Sequence, residues 1–166
     1  MPPDPTDRLS DYTQALLDAA VIILDTTPAL APQSQFICSS MPAIDCEFVA
    51  VQAAAVREDA TSPMGIEAKR RVDFGNLILV SYYVYIVRCA PMPSRQGPPT
   101  DAEKSANTLT VLKDIWVLWN GIRDMQKDLF DGCLGVYFDG ALPIAEEGGF
   151  LGWRFGISAT IPGYEP

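Results

Sequence analysis

The sequence predicts an α+β domain: a mostly antiparallel sheet with two long helices packed on one face. Three observations carry this. The elements run in the order helix, two strands, helix, two strands, with room for one short extra strand after the first helix. The last strand alternates cleanly, with Trp153, Phe155, Ile157, Ala159 and Ile161 on one face and Arg154, Gly156, Ser158 and Thr160 on the other. The chain has 166 residues, 48% of them apolar and 20% charged. That suits a single domain over 1–166 that buries roughly 70% of its unfolded surface without metal or disulfide.

Residues 1–6 form a flexible, Pro-rich lead-in. A helix starts near Pro5, with Asp4 as N-cap and Asp7 in the first turn, where the helix dipole favours negative charge. Leu9, Tyr12, Leu16, Ala20 and Ile23 recur at three- and four-residue steps and make its apolar face. Pro28 disfavours helix at Thr27 and ends it. Pro28, Pro32 and Pro42 then mark a loop, with a short strand available at Gln35 to Cys38.

A strand follows from Cys46 to Ala55, then a long polar loop over 57–71 that holds Lys69, Arg70 and Arg71. The longest strand ends at Cys89. Tyr83, Tyr85 and Val87 point one way, and Val80, Tyr82, Val84 and Ile86 the other. Both faces are apolar, so this strand is central and covered on both sides. Pro91 and Pro93 stop it. Thr100-Asp101-Ala102-Glu103 is a capping box that opens a second helix running to about Lys127. Ile115-Trp116-Val117-Leu118-Trp119 puts apolar groups nearly all round its middle. One face packs on the sheet and another needs a second covering, such as a neighbouring subunit. Cys133 to Asp139 reads as a strand, Asp139-Gly140 as the turn that ends it, and Glu146-Glu147-Gly148-Gly149 as the loop before the final strand.

Twelve Lys and Arg against 21 Asp and Glu give a net charge of −9, which opposes phosphate binding. There is no histidine, so catalytic triads with a His base and His-ligated zinc sites are excluded. The four cysteines, 38, 46, 89 and 133, show no C-x-x-C spacing, and a zinc site would need all four from distant segments. Cys46 and Cys89 fall in strands that could be neighbours. They read as buried thiols in a reducing cytosol, the alternative being a Cys46–Cys89 bridge formed after release from the cell. The N-terminus has no basic segment ahead of an apolar run, and no apolar stretch is long enough to span a bilayer, so a cytosolic origin and no membrane contact are expected.

No set of residues forms a nucleophile, base and orienting group, and no catalytic, cofactor or metal site is expected. Asp45 and Glu47 share one face of a strand about 7 Å apart, too far to hold an ion without further ligands. They read as structural or solvated carboxylates, with a carboxylate-dependent hydrolase as the weak alternative. Gly148-Gly149 precedes no helix and is no phosphate loop. Lys69, Arg70 and Arg71 read as a contact between subunits or a solvated loop, rather than a nucleic-acid patch. The interface candidates are therefore Trp116, Trp119, Ile115, Tyr83, Lys69, Arg70 and Arg71.

Several segments together carry a family resemblance. They are Pro42-Ala43-Ile44-Asp45-Cys46-Glu47 opening a strand, Val87-Arg88-Cys89-Ala90-Pro91 closing one, Gly97-Pro98-Pro99 before a capped helix, and a final hairpin from Gly148-Gly149-Phe150 to Ile161. With the leading helix they resemble the tail terminator (tail completion) proteins of long-tailed, non-contractile phages of actinobacteria, over roughly residues 36–163. The resemblance implies a hexameric ring that is not an enzyme and needs no cofactor. Such a ring caps the tail tube, ends its growth and meets the head-side connector or head-completion protein. It implies a place in the virion at the head–tail junction, after synthesis in the host cytoplasm. DNA passes through its lumen without specific binding, which suits an acidic subunit. Glu58, Asp59, Glu146 and Glu147 are the lumen candidates, because loops can project from a sheet edge into a central hole. The alternative in the same setting is another neck or minor tail protein, of the head-closure type.

Overall fold

The computed structural model describes residues 5–26, 34–38, 47–58, 77–93, 95, 97–144 and 150–162. Two helices, α1 (Pro5–Asp25) and α2 (Asp101–Leu129), pack with five strands: β1 (Ser34–Cys38), β2 (Phe48–Glu58), β3 (Leu77–Cys89), β4 (Gly135–Ile144) and β5 (Phe150–Pro162). The sheet is open, in the order β1-β2-β3-β5-β4. Only the β1–β2 pairing is parallel; the other three are antiparallel. The fold is thus the α+β arrangement expected, and the strand that is apolar on both faces is the central one.

The main core lies between the helices and one sheet face. Leu16, Ala20, Ile23 and Leu24 of α1 and Leu118 and Ile122 of α2 meet Val49 and Val51, Val80, Tyr82 and Val84, and Phe155, Ile157 and Ala159. These strand residues fall two apart, as one face of a pleated strand requires. A second, smaller cluster of Phe48, Ala50, Tyr85, Val87 and Phe150 occupies the other face. Gly121 of α2 packs directly against Ile23 of α1. A Cβ placed there would lie 2.7–2.9 Å from Cδ1, Cγ1 and Cγ2 of Ile23, so glycine is what permits the approach.

The start of α2 follows its sequence signal. The Thr100 hydroxyl accepts from the Glu103 N–H, and the Glu103 carboxylate accepts from the Thr100 N–H at 2.7 Å. Two local expectations need correction. Asp139-Gly140 is no turn: β4 continues to Ile144, and the pairing shifts between Phe138 and Gly140. Gly140 takes φ +97°, so the dipeptide forms a bulge inside the strand. Asp139 is tied there by the Ser158 hydroxyl, which donates to its Oδ2 at 2.7 Å. Glu58 is no loop residue, because β2 runs past Ala55 through its own shift at Ala53/Ala55 to Glu58. Boundaries also move at two strand starts, from Cys46 to Phe48 and from Cys133 to Gly135.

Candidate functional site

α2 has 29 residues, about 43 Å of helix. Its buried positions, Val111, Asp114, Leu118, Ile122 and Leu129, follow three-, four- and seven-residue steps and form the core-facing side. Leu109, Leu112 and Trp116 recur at the same spacing on a different side. Trp116 lies about 200° round the helix from Asp114. These three are 65%, 44% and 69% exposed. Ile115 and Val117 are half-buried beside them. An apolar stripe on the outer face of a helix that is otherwise well packed is the most conspicuous unsatisfied surface among the described residues.

A buried ion-pair cluster beneath the stripe sets the rotation of α2. Arg88, at the end of β3, donates from Nε to Oδ2 of Asp114 at 2.8 Å and from Nη2 to Oδ1 at 3.3 Å. Its Nη1 donates to Oε2 of Glu47 at 2.8 Å. Oε1 of Glu47 accepts the Cys89 N–H at 3.1 Å, and the Glu47 carbonyl accepts the Ser34 N–H at 3.2 Å. Asn107 of α2 donates to the Cys89 carbonyl at 2.8 Å. Glu47 takes φ +67°, a conformation uncommon for a side chain of this type. The cluster therefore joins the start of β2, the end of β3 and two turns of α2. Burial alone would lower the Arg88 pKa, but its bonds to Asp114 and Glu47 outweigh burial and raise it. Burial pushes the Asp114 carboxyl above its ordinary range, partly offset by Arg88.

The expected site residues separate in space. Trp116 is outermost. Trp119 belongs to the core side instead, with its ring 5.2 Å from both Phe138 and Phe155. Tyr83 is on the opposite sheet face, with the Arg154 guanidinium 4.4 Å from its ring centroid. Glu58 ends β2. Asp45, Asp59, Lys69, Arg70, Arg71, Glu146 and Glu147 lie outside the described residues. Glu47 faces Arg88, so both of its carboxylate oxygens are engaged inside the fold.

Among the described residues no three Cys, Asp or Glu side chains gather to hold a metal, and no helix is long and apolar enough to cross a membrane. Cys38 and Cys133 are free thiols whose pKa values are raised by burial. Cys89 is disulfide-bonded, which overturns its reading as a buried thiol. Its backbone is pinned on both sides by Glu47 and Asn107, so its side chain leaves the strand in a fixed direction. Cys46 lies outside the described residues.

Sequence reasoning missed Arg88, Asp114, Leu109 and Leu112. The signals were present. Asp114 is the charged member of an otherwise apolar three- and four-step series, and Leu109, Leu112 and Trp116 repeat its spacing on another side. No protein-family model matches the chain, and no curated protein matches it significantly.

Proposed function

We propose that this protein is a structural subunit of the head–tail junction of a long-tailed, non-contractile actinobacteriophage. It is a tail terminator that assembles as a hexameric ring, caps the tail tube, ends its polymerisation and joins the tail to the head-side connector. The observation that carries the reading is the exposed stripe Leu109, Leu112 and Trp116 on a helix whose other side is core. A subunit that works alone gains nothing from a tryptophan held in water, whereas a ring subunit needs apolar surface of this kind. The resemblance described above supplies the assembly, and the charge of −9 suits a passage that DNA must slide through.

The test is to purify the protein, incubate it with and without its tube protein, and follow both by sedimentation and negative-stain microscopy. Rings of six, and tubes whose growth stops when the protein is added, are expected. Monomer in both conditions together with unrestrained tube growth would overturn the proposal.

A further inference from the structure

We propose that the disulfide at Cys89 is a redox latch on the buried ion-pair cluster, with Cys46 as its other half. The chain has four cysteines, and Cys38 and Cys133 are free thiols, so within one chain the bridge of Cys89 takes Cys46. Cys46 immediately precedes Glu47, and Cys89 immediately follows Arg88. Glu47 and Arg88 are themselves joined by an ion pair at 2.8 Å, and Oε1 of Glu47 accepts the Cys89 N–H at 3.1 Å. One covalent and two polar links thus tie the same two stretches of chain. Such links support one another, because closing the covalent one holds the polar partners at high effective concentration. Glu47 needs that support: a side chain of this type at φ +67° persists only where its surroundings over-determine it.

What the latch holds reaches α2. Asn107 donates to the Cys89 carbonyl at 2.8 Å, and Arg88 holds Asp114 two turns further along the helix. Arg88 and Asp114 are shut from water, whereas Glu47 and Cys89 are partly exposed, so a reductant meets the cluster at its bridged end. The reductant required is a dithiol. Its thiolate attacks one sulfur of the bridge, the S–S bond breaks to leave a mixed disulfide, and the second thiol displaces the chain. The dithiol leaves as a disulfide, having given two electrons and two protons to Cys46 and Cys89. With the bridge open, Glu47 is free to leave its positive φ, and Arg88 keeps Asp114 alone. The timing of the switch rests on the reading of the protein as a virion subunit, made in a reducing cytoplasm and serving outside it, so that the latch is open during synthesis and closed afterwards. The latch itself does not rest on that reading.

Three measurements on the full chain test the latch. Peptide mass spectrometry without reductant should find Cys46 joined to Cys89. NMR of the folded protein before and after dithiothreitol should show the Arg88 Nε–H and the Asn107 side-chain amide moving on reduction. The Asn120 side-chain amide, bonded to the Trp116 carbonyl on the same helix, should stay in place. Titration in dithiothreitol redox buffers should show that Glu47→Gln makes the bridge about tenfold easier to open, which is about 30 mV for a two-electron couple. In concentrated urea, where no cluster exists, the two chains should open at the same potential. Cys89 joined to another cysteine, unmoved Arg88 and Asn107 resonances, or a Glu47→Gln potential equal to wild type overturns the latch. So does a wild type that unfolds outright on reduction, because the bridge is then a staple of the whole fold. Should Glu47→Gln fail to fold, the wild-type resonances decide. None of these readouts involves assembly, so their failure leaves the ring reading standing, and a chain that never assembles leaves the latch standing.

Discussion

Arg88 and Asp114 come from elements that share no local sequence, yet two guanidinium nitrogens of Arg88 bond both carboxylate oxygens of Asp114, at 2.8 and 3.3 Å. Asp114 is fully buried and Arg88 nearly so. A two-point pair of this kind fixes orientation as well as distance. It holds α2 in the rotation that turns Val111 and Leu118 inward and Trp116 outward.

Breaking one side of the pair is expected to cost far more than removing both. Asp114→Ala or Arg88→Met alone should destabilise the fold by about 3–5 kcal/mol, because each leaves a buried charge without its main partner. Arg88→Met combined with Asp114→Leu should cost less than either single change. Urea unfolding of the three variants measures this. Single-variant losses below about 1 kcal/mol would show a solvated pair.

Gly121 of α2 packs directly against Ile23 of α1, and Gly121→Ala is expected to destabilise despite alanine's better helix propensity. The propensity gain is about 1 kcal/mol. Against it stands overpacking of about 1–3 kcal/mol, because the added methyl would press on the branched, stiff Ile23 at 2.7–2.9 Å. Ile23→Val in the Gly121→Ala background should recover part of the loss. A melting temperature raised by Gly121→Ala would refute the tight contact.

Two tryptophans three residues apart are expected to respond differently. Trp119→Asp puts a carboxylate between Phe138 and Phe155, and should cost several kcal/mol, comparable with a domain's whole stability. Trp116→Asp changes a side chain that is 69% exposed, and should leave the unfolding free energy within about 0.5 kcal/mol of wild type; under the ring-subunit proposal it should abolish assembly. Chemical denaturation and sedimentation of both variants separate fold from interface.

These contrasts show which parts of the molecule are legible in one dimension. The alternation from Trp153 to Ile161 and the Thr100–Glu103 capping box encode their structures locally, and both elements form where expected. Asp139-Gly140 does not. A glycine at positive φ serves a turn and a bulge equally well, and the partner strand decides, here by pairing Gly140 with Gly156. Glu47 is opaque for the same reason. Its neighbour Asp45 suggests a pair of acids, but the partner that fixes its role is Arg88, 41 residues later. The apolar crowding around Trp116 is visible in sequence. Which of Trp116 and Trp119 faces water depends on the angle at which α2 lies on the sheet, which Arg88 and Asp114 set.

The cysteines are expected to separate by reagent. Without reductant, alkylation of the unfolded chain should label Cys38 and Cys133, and Cys89 only after reduction. In the folded protein even the two free thiols should react slowly at neutral pH, since burial raises both pKa values and leaves less thiolate. Peptide mass spectrometry with two isotopic labels, applied before and after reduction, reads each site. Labelling of Cys89 without reductant would remove the disulfide from the account.

Alkaline stability should be limited by buried phenols. Burial is the main cause that raises Tyr12, to about 12, and it also raises Tyr82 and Tyr85. The Tyr12 hydroxyl donates to the Asp131 carbonyl at 2.7 Å, a bond that its ionised form cannot make. A group whose folded pKa lies above its unfolded value, about 10 for tyrosine, holds its proton more tightly in the folded state. Its contribution to stability is therefore full below pH 10 and is lost as pH rises towards 12. Absorbance at 295 nm should show Tyr12, Tyr82 and Tyr85 ionising only as the far-ultraviolet circular dichroism collapses, with the two transitions coincident. Substituting Tyr12→Phe removes one late-ionising group and should flatten the fall in stability between pH 10 and 12. A single ionisation of all six tyrosines near pH 10, with the fold intact, would contradict the burial of Tyr12 and Tyr82.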